Sequence, residues 1–344
     1  MNDHSNPPLD TLGRPLRSLR VSVIDRCDLR CNYCMPEEKY TWLPRQEILS
    51  FEEIERLVQV STSLGVDRIR LTGGEPLLRR DIVGLIGRLS AVAGIADVAM
   101  TTNGTRLAEL APQLKAAGLH RLTVSLDSLR HDRFKELTRR DELDRVLGGI
   151  RAASACGFPL KLNTVVIRGF NDEEVGDLVD FGAEVGAEVR FIEYMDVGGA
   201  TRWQMDRVFS KKEILAVLET RYGPLTAAEP QGSAAAQRYR LPDGATFGTI
   251  ASVTEPFCSA CDRGRLTADG MFFKCLYGQD GLDVKRLVRD GADDEALAAA
   301  LRSMWRLRTD RAAEERAGRQ ERSPLFQVEA LREDPHREMH TRGG

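Results

Sequence analysis

LRVSVIDRCDLRCNYC, residues 19–34, sets a short β-rich run against three cysteines, Cys27, Cys31 and Cys34, in a C-x3-C-x2-C spacing. Leu19–Val23 predicts a strand, and the cysteines then fall in the loop at its carboxyl end. Similar runs recur at Arg68–Leu71, Asp97–Thr101, Arg121–Leu126, Lys161–Ile167 and Val189–Glu193. Between them lie segments such as FEEIERLVQVSTSLG (residues 51–65) and LDRVLGGIRAASACG (143–157), which place apolar residues at helical spacing and end at Gly. Strand and helix in alternation predict an α/β fold with a parallel sheet. Six such units predict a partial (βα)6 TIM-like barrel. Residues suited to chemistry follow the strands: Cys27, Gly73-Gly74-Glu75, Thr102-Asn103-Gly104, Asp127 and Met195. In parallel barrels the carboxyl ends of the strands form the active-site face, so these motifs are expected to converge.

Beyond residue 196 the rhythm changes. A Gly-rich link, VGGATRW, precedes a helix at Lys211–Tyr222, and EPQGSAAAQ (229–237) reads as an exposed loop. Arg238–Leu241, Ala245–Val253 and Gly264–Phe273 read as strands, Asp283–Arg289 and Asp294–Leu307 as helices. The expected organisation is an N-terminal extension (1–16), the partial barrel (17–196), a smaller α+β module (197–309) and a charged tail (310–344) ending in Gly343-Gly344. The density of charge in that tail predicts a mobile segment.

The 344 residues, 42% of them hydrophobic, suffice for a sizeable core. A net charge of -3 gives no global basic field for nucleic acid, so an anionic ligand must be met by local cations. The N-terminus lacks the pattern of a signal peptide and no stretch approaches the ~20 apolar residues of a spanning helix, which predicts a cytoplasmic protein without a membrane partner.

In a reducing compartment, cysteines grouped as two trios and the lone Cys156 point to metal or catalysis before disulfides. Cys27, Cys31 and Cys34 offer three thiolates from one loop. A 4Fe-4S cluster bound there would keep one iron free of protein sulfur, able to hold S-adenosylmethionine (SAM) for reductive cleavage. Zinc is the alternative, but it usually takes four ligands and no fourth Cys or His is near. Cys258, Cys261 and Cys275 form C-x2-C-x13-C, again without a fourth ligand, since the histidines lie at 4, 120, 131, 336 and 340. Spacing alone leaves zinc and iron-sulfur evenly matched at this trio; the missing ligand favours an open iron-sulfur site. Arg263 and Arg265 follow Cys261, and Arg20, Arg70 and Lys161 sit on the predicted strands. Together these cations suit a triphosphate.

The first trio, with Tyr33 before its last Cys and Gly73-Gly74-Glu75-Pro76 after the second strand, resembles the radical SAM enzymes. The resemblance implies a 4Fe-4S cluster on the three cysteines, Tyr33 at the SAM adenine and Gly74 at its methionine moiety. Both trios, the CDRGR segment, FIEYM after the sixth strand and the terminal Gly-Gly resemble more narrowly the GTP 3',8-cyclase family of molybdenum cofactor biosynthesis. This implies a second 4Fe-4S cluster on Cys258, Cys261 and Cys275 that binds guanine, SAM contacts at Tyr33, Gly74, Ser125 and Met195, and GTP contacts at Arg20, Arg70, Thr101, Lys161, Arg263, Gly264 and Arg265. It implies a catalytic role for the Gly343-Gly344 tail, an external electron donor, and a downstream cyclic pyranopterin monophosphate synthase; a homodimer stays open. Three positions depart from the family's pattern: Asp262, Gly264 and Arg342. Two other readings compete: a radical SAM enzyme that modifies a peptide or protein, and a non-enzymatic metal scaffold that binds a partner.

Overall fold

The computed structural model describes residues 7–229, 232–319 and 321–343. Its first half follows the strand-helix rhythm: β1 (Ser18–Ser22), α1 (Phe51–Thr62), β2 (Arg68–Thr72), α2 (Ile82–Ser90), β3 (Asp97–Thr102), α3 (Leu107–Ala116), β4 (Arg121–Ser125), α4 (His131–Thr138), α5 (Leu143–Ala155), β5 (Leu160–Val166), α6 (Val175–Glu184) and β6 (Ala187–Glu193). Helix α1 starts where it does because Ser50 and Glu53 cap it reciprocally. The Ser50 hydroxyl accepts from the Glu53 N–H, and the Glu53 carboxylate accepts from the Ser50 N–H.

Strands β1 to β6 are parallel and adjacent in sequence order. Residues alternate across each strand. Leu71, Met100, Leu122, Leu162 and Phe191 join one core with Leu57, Ile86, Leu114, Ile150 and Leu178 of the helices. The intervening strand positions carry polar and charged side chains towards the opposite face.

The rest of the chain comprises α7 (Lys211–Tyr222), β7 (Thr226–Ala227), β8 (Gln237–Arg240), β9 (Thr246–Ile250), β10 (Arg263–Leu266), β11 (Met271–Phe273), β12 (Gly281–Asp283), α8 (Val284–Arg289), α9 (Asp294–Arg306), α10 (Ala312–Ala317), α11 (Val328–Glu333) and α12 (Met339–Arg342). Its strands continue the same sheet at both ends, in the order β12-β11-β10-β1-β2-β3-β4-β5-β6-β9-β8-β7. β10 pairs parallel with β1, and β9 pairs parallel with β6. The backbone donors and acceptors at both edges of the six-strand set thereby find partners. The run read as one strand at Gly264–Phe273 is a hairpin, β10–β11. Gly270 turns it at φ +84°, a left-handed conformation that glycine adopts at little steric cost.

The charged segment after residue 310 differs from the mobile tail expected of its composition. Arg316 and Arg322 converge on buried Asp196 after β6: Arg316 Nε and Arg322 Nε each donate to its Oδ2 at 2.7 Å, and Arg322 Nη2 donates to Oδ1 at 2.9 Å. Burial would push the Asp196 carboxyl up, but the two guanidiniums outweigh it and hold it below its ordinary range. Asp196→Ala would strand two buried guanidiniums, and its expected cost is about 3–5 kcal/mol. Urea unfolding checks this; a loss under about 1 kcal/mol would show that the clamp is not structural. No helix among the described residues is long and apolar enough to cross a membrane.

Candidate functional site

A cavity of about 560 Å³ is lined by the inner faces of β1 to β6 and by the loops at their carboxyl ends. Cys27, Cys31 and Cys34 line it from the loop after β1. That loop sits close against the turn after β2. A Cβ on Gly74 would overlap the Arg26 carbonyl and one on Gly73 would overlap that of Ile24, so only glycine permits this approach. Gly74 N–H donates to Ile24 O at 2.7 Å, and Glu75 N–H to Arg26 O at 2.8 Å. The Glu75 carboxylate ties the turn to the next strand end, accepting from Leu77 N–H, Thr102 Oγ1 and Asn103 N–H; burial nevertheless pushes its pKa up to about 7.

Burial pushes the Cys27 thiol up to about 12 and drives Cys31 and Cys34 up as well. Thiols in such surroundings ionise when a metal centre supplies countercharge. Among the described residues no three His, Cys, Asp or Glu side chains gather around a single ion. Three thiols from one loop that line the same wall suit a cluster, whose irons bind their sulfurs separately. Tyr33 lies in the same wall and donates from its hydroxyl to Asp127 Oδ2 at 2.8 Å; burial pushes Asp127 up to about 6. Gly74, Ser125 and Met195 also line the cavity.

The other half of the cavity is cationic. Sheet register aligns Arg265, Arg20 and Arg70 in one row across β10, β1 and β2. Thr101, Thr123 and Lys161 are partners across β3, β4 and β5. Arg70 Nη1 donates to Thr101 Oγ1 at 3.3 Å and Thr123 Oγ1 at 3.2 Å, both neutral acceptors. Burial, followed by the Arg20 charge, pushes Arg70 down to about 9; burial, then Arg263, pushes Arg265 down to about 10; Arg20 is lowered by burial, Arg265 and Arg263. A guanidinium keeps its proton in proteins. Burial causes most of this downward push and the neighbouring guanidiniums add to it, so an anion beside them would be favoured.

All the predicted cations, Arg20, Arg70, Lys161, Arg263 and Arg265, line this cavity, as does Thr101. Gly264 does not. A Cβ there would meet the Phe272 ring and Leu16, on the other face of β10, and the ring occupies the room a larger side chain would need. Asp262 contacts Arg68 by an ion pair and accepts from Ser233 Oγ at 2.6 Å. The segment expected to be an exposed loop thus reaches the cavity, which Ser233, Ala234 and Ala235 help to line. Arg121 and Arg190 were missed among the cations, although alternation places them inward: Arg121 with Thr123 and Ser125, Arg190 with Ile192. Each has an acid partner, Arg121 in Asp97 and Arg190 in Glu188.

Phe257, Asp262, Arg263 and Leu276, which flank the second trio in sequence, join the wall. Burial would push the Cys261 thiol up, but Arg263 and Arg308 outweigh it and bring it down to about 7. Arg308 Nη1 donates to Cys261 O at 2.7 Å, and Nη2 points to Cys261 Sγ at 3.3 Å. Burial raises the Cys258 and Cys275 thiols. Gly343 enters from the tail, its carbonyl facing Arg265 and Arg20. Gly344 lies outside the described residues.

Residues 21–182 match the Radical SAM superfamily, and residues 187–314 match Molybdenum Cofactor Synthesis C. A Mycobacterium bovis protein named GTP 3',8-cyclase 3 is 52% identical, covering 99% of this chain and 92% of its own. Mycobacterium tuberculosis GTP 3',8-cyclase 1 is 51% identical, over 97% of this chain and 95% of its own.

This chain belongs to the GTP 3',8-cyclase family.

Family membership extends beyond the mycobacterial relatives to Staphylococcus carnosus GTP 3',8-cyclase, 43% identical over 89% of this chain and 92% of that one. Among solved structures, Streptococcus suis SuiB bound to S-adenosylmethionine shares the fold at a TM-score of 0.57 and 18% identity, covering 91% of this chain and 76% of that one. The radical SAM membership of this family implies one 4Fe-4S cluster and SAM.

Proposed function

We propose that this chain converts GTP to 3',8-cyclo-7,8-dihydro-GTP, the first step of molybdenum cofactor biosynthesis. One observation supports this reading above the others: a cysteine trio and a row of three aligned arginines face the same cavity. Cys27, Cys31 and Cys34 would hold a 4Fe-4S cluster, which would supply the electron for reductive cleavage of SAM and so the radical chemistry that removes the ribose 3' hydrogen of GTP. Tyr33, Gly74, Ser125 and Met195 would hold SAM. Arg20, Arg70, Lys161, Arg263 and Arg265, with Thr101, would hold GTP, and the arginines can grip phosphate oxygens in pairs. Positioning the ribose beside SAM and excluding water are the protein's own contributions.

The finer architecture belongs to the same proposal. Residues 17–196 form the partial (βα)6 barrel, and residues 197–309 carry a second 4Fe-4S cluster on Cys258, Cys261 and Cys275, where the guanine would bind. Residues 310–344 bring Gly343 and Gly344 to the reaction. The enzyme would act in the cytoplasm, draw on an external electron donor and pass its product to cyclic pyranopterin monophosphate synthase; a homodimer is compatible with this role. A peptide substrate gives no reason for the arginine row, so peptide modification is the weaker reading.

Anaerobic incubation of the reconstituted protein with SAM, GTP and a reductant should yield 5'-deoxyadenosine and 3',8-cyclo-7,8-dihydro-GTP. SAM cleavage that leaves GTP unchanged would overturn the proposal. Lys161 gives the site a pH signature. Burial, then Arg190 and Arg121, lowers its pKa to about 8. A triphosphate favours the protonated amine, so binding is undiminished below that value and weakens by about tenfold per pH unit above it, until the bound-state pKa is reached. Lys161→Met should bind more weakly and remove this slope. Equilibrium GTP binding from pH 7 to 9.5 is the check, and a flat wild-type profile would count against the contact.

A further inference from the structure

The cavity's arginine row meets the protein's own last turn. Arg265 Nη1 donates to Gly343 O at 2.5 Å and to Arg342 O at 3.2 Å, and Arg20 Nη1 reaches Gly343 O at 3.5 Å. Gly343 can make this approach because its φ is +68° and because a Cβ there would overlap Thr72 Oγ1.

What holds Gly343 in place is its neighbour. Arg342 is 2% exposed, yet it turns away from the arginine row into the loop after Cys275. Its Nη1 donates to Leu276 O at 2.8 Å and to Gly278 O, its Nε donates to His336 O, and its guanidinium carbon lies 4.3 Å from the Phe273 ring centroid. These acceptors are backbone carbonyls. A guanidinium buried in this way gains far less than in a carboxylate fork, so its favourable contribution is geometric: the planar donor set fixes two backbone segments against each other. Two other tail residues hold the same turn. His336 lies between Asp269 Oδ2 at 2.6 Å and Asp334 Oδ1 at 2.9 Å. His340 packs edge-on against Tyr40 and Trp42, in the segment that follows the first cysteine trio. The turn is thus fastened beside both cysteine loops.

We propose that Arg342 is a positioning residue. By clamping the last turn to the Leu276 and Gly278 carbonyls, it holds the Gly343 carbonyl where it orients Arg265 and Arg20 towards an anionic substrate. The clamp acts through those two arginines, and its consequence for turnover rests on the reading of the cavity as the GTP site.

Three variants test it. Arg342→Met keeps the contact with Phe273 but removes the donors, Arg342→Lys keeps the charge and one donor group, and Arg332→Met alters an exposed tail arginine. In Arg342→Met, 5'-deoxyadenosine formation should stay within about twofold of wild type, while cyclised product per SAM cleaved falls about tenfold and KM for GTP rises. Arg342→Lys should recover coupling to within about threefold, and Arg332→Met should match wild type. Amide hydrogen exchange over residues 336–343 should accelerate in Arg342→Met alone. Wild-type coupling and exchange in Arg342→Met would overturn the proposal. So would parallel loss of SAM cleavage, coupling and thermal stability with no recovery in Arg342→Lys, which would mark a general structural role. Should the wild type make no cyclised product, the GTP reading fails separately, and the exchange data decide the clamp: acceleration in Arg342→Met upholds it, unchanged exchange removes it.

Discussion

Replacing Cys27, Cys31 or Cys34 with alanine is expected to abolish SAM cleavage, by about 10³-fold or more, and GTP conversion with it. Each thiol is one of three protein ligands offered by a single loop, and no fourth cysteine lines the same cavity among the described residues. Two polar side chains approach Cys27 Sγ, Asn103 Nδ2 at 3.8 Å and Asp28 Oδ1 at 3.9 Å, and the Asp28 carboxylate is already engaged by Asn103 Nδ2 and Thr105 Oγ1. An amide nitrogen has no lone pair to offer iron and no negative charge to replace a thiolate. Burial that already disfavours free thiolates would also disfavour a partly ligated cluster. Iron content and the rate of 5'-deoxyadenosine formation under anaerobic reduction check the prediction. A variant that retained full cleavage would remove the trio from the reaction.

Alanine at Cys258, Cys261 or Cys275 is expected to separate the two halves of the chemistry. SAM cleavage should persist to within about tenfold, whereas GTP conversion should fall by about 10³-fold. The physical basis is spatial. The first trio lines the cavity from the β1 loop, while Cys258 and Cys261 precede β10 and Cys275 follows β11, outside the cavity lining, with Arg263 and Arg308 bearing on Cys261. Loss of the second centre would leave the β1 loop and the turn after β2 intact but remove the anchor proposed for guanine. Wild-type protein should contain about eight irons per chain and little zinc, and a second-trio variant about four. Equal loss of both steps in all six variants would argue against separate roles.

The strands of the first half were legible to within one or two residues because each must serve two faces. Leu122 and Val124 pack against helices while Arg121, Thr123 and Ser125 turn to the cavity, and that alternation is written in the residue types. The same parity marks Arg121 and Arg190 as cavity residues, a signal overlooked because isolated arginines are commonly surface charges. The hairpin β10–β11 differs from the single strand expected of Gly264–Phe273, although Asp269-Gly270 is a turn signal within it. The order of the tail is illegible in the sequence for a different reason. Composition alone gives no hint that Arg316, Arg322 and Arg342 are buried, because their partners are Asp196 and the backbone carbonyls of Leu276 and Gly278, each tens of residues away.

The sequence by itself determined the parallel α/β core, the cysteine loop at the end of its first strand, and the glycine turn that must pass close to that loop, because spacing, alternation and the absence of a Cβ act over a few residues. Only the tertiary structure decided that the C-terminal strands complete the edges of the same sheet, that the register ranks Arg265, Arg20 and Arg70 side by side, and that a charged terminus folds in until Gly343 meets two of them. Edge pairing, strand register and buried charge depend on partners remote in the chain, and local pattern holds no record of which partner is chosen.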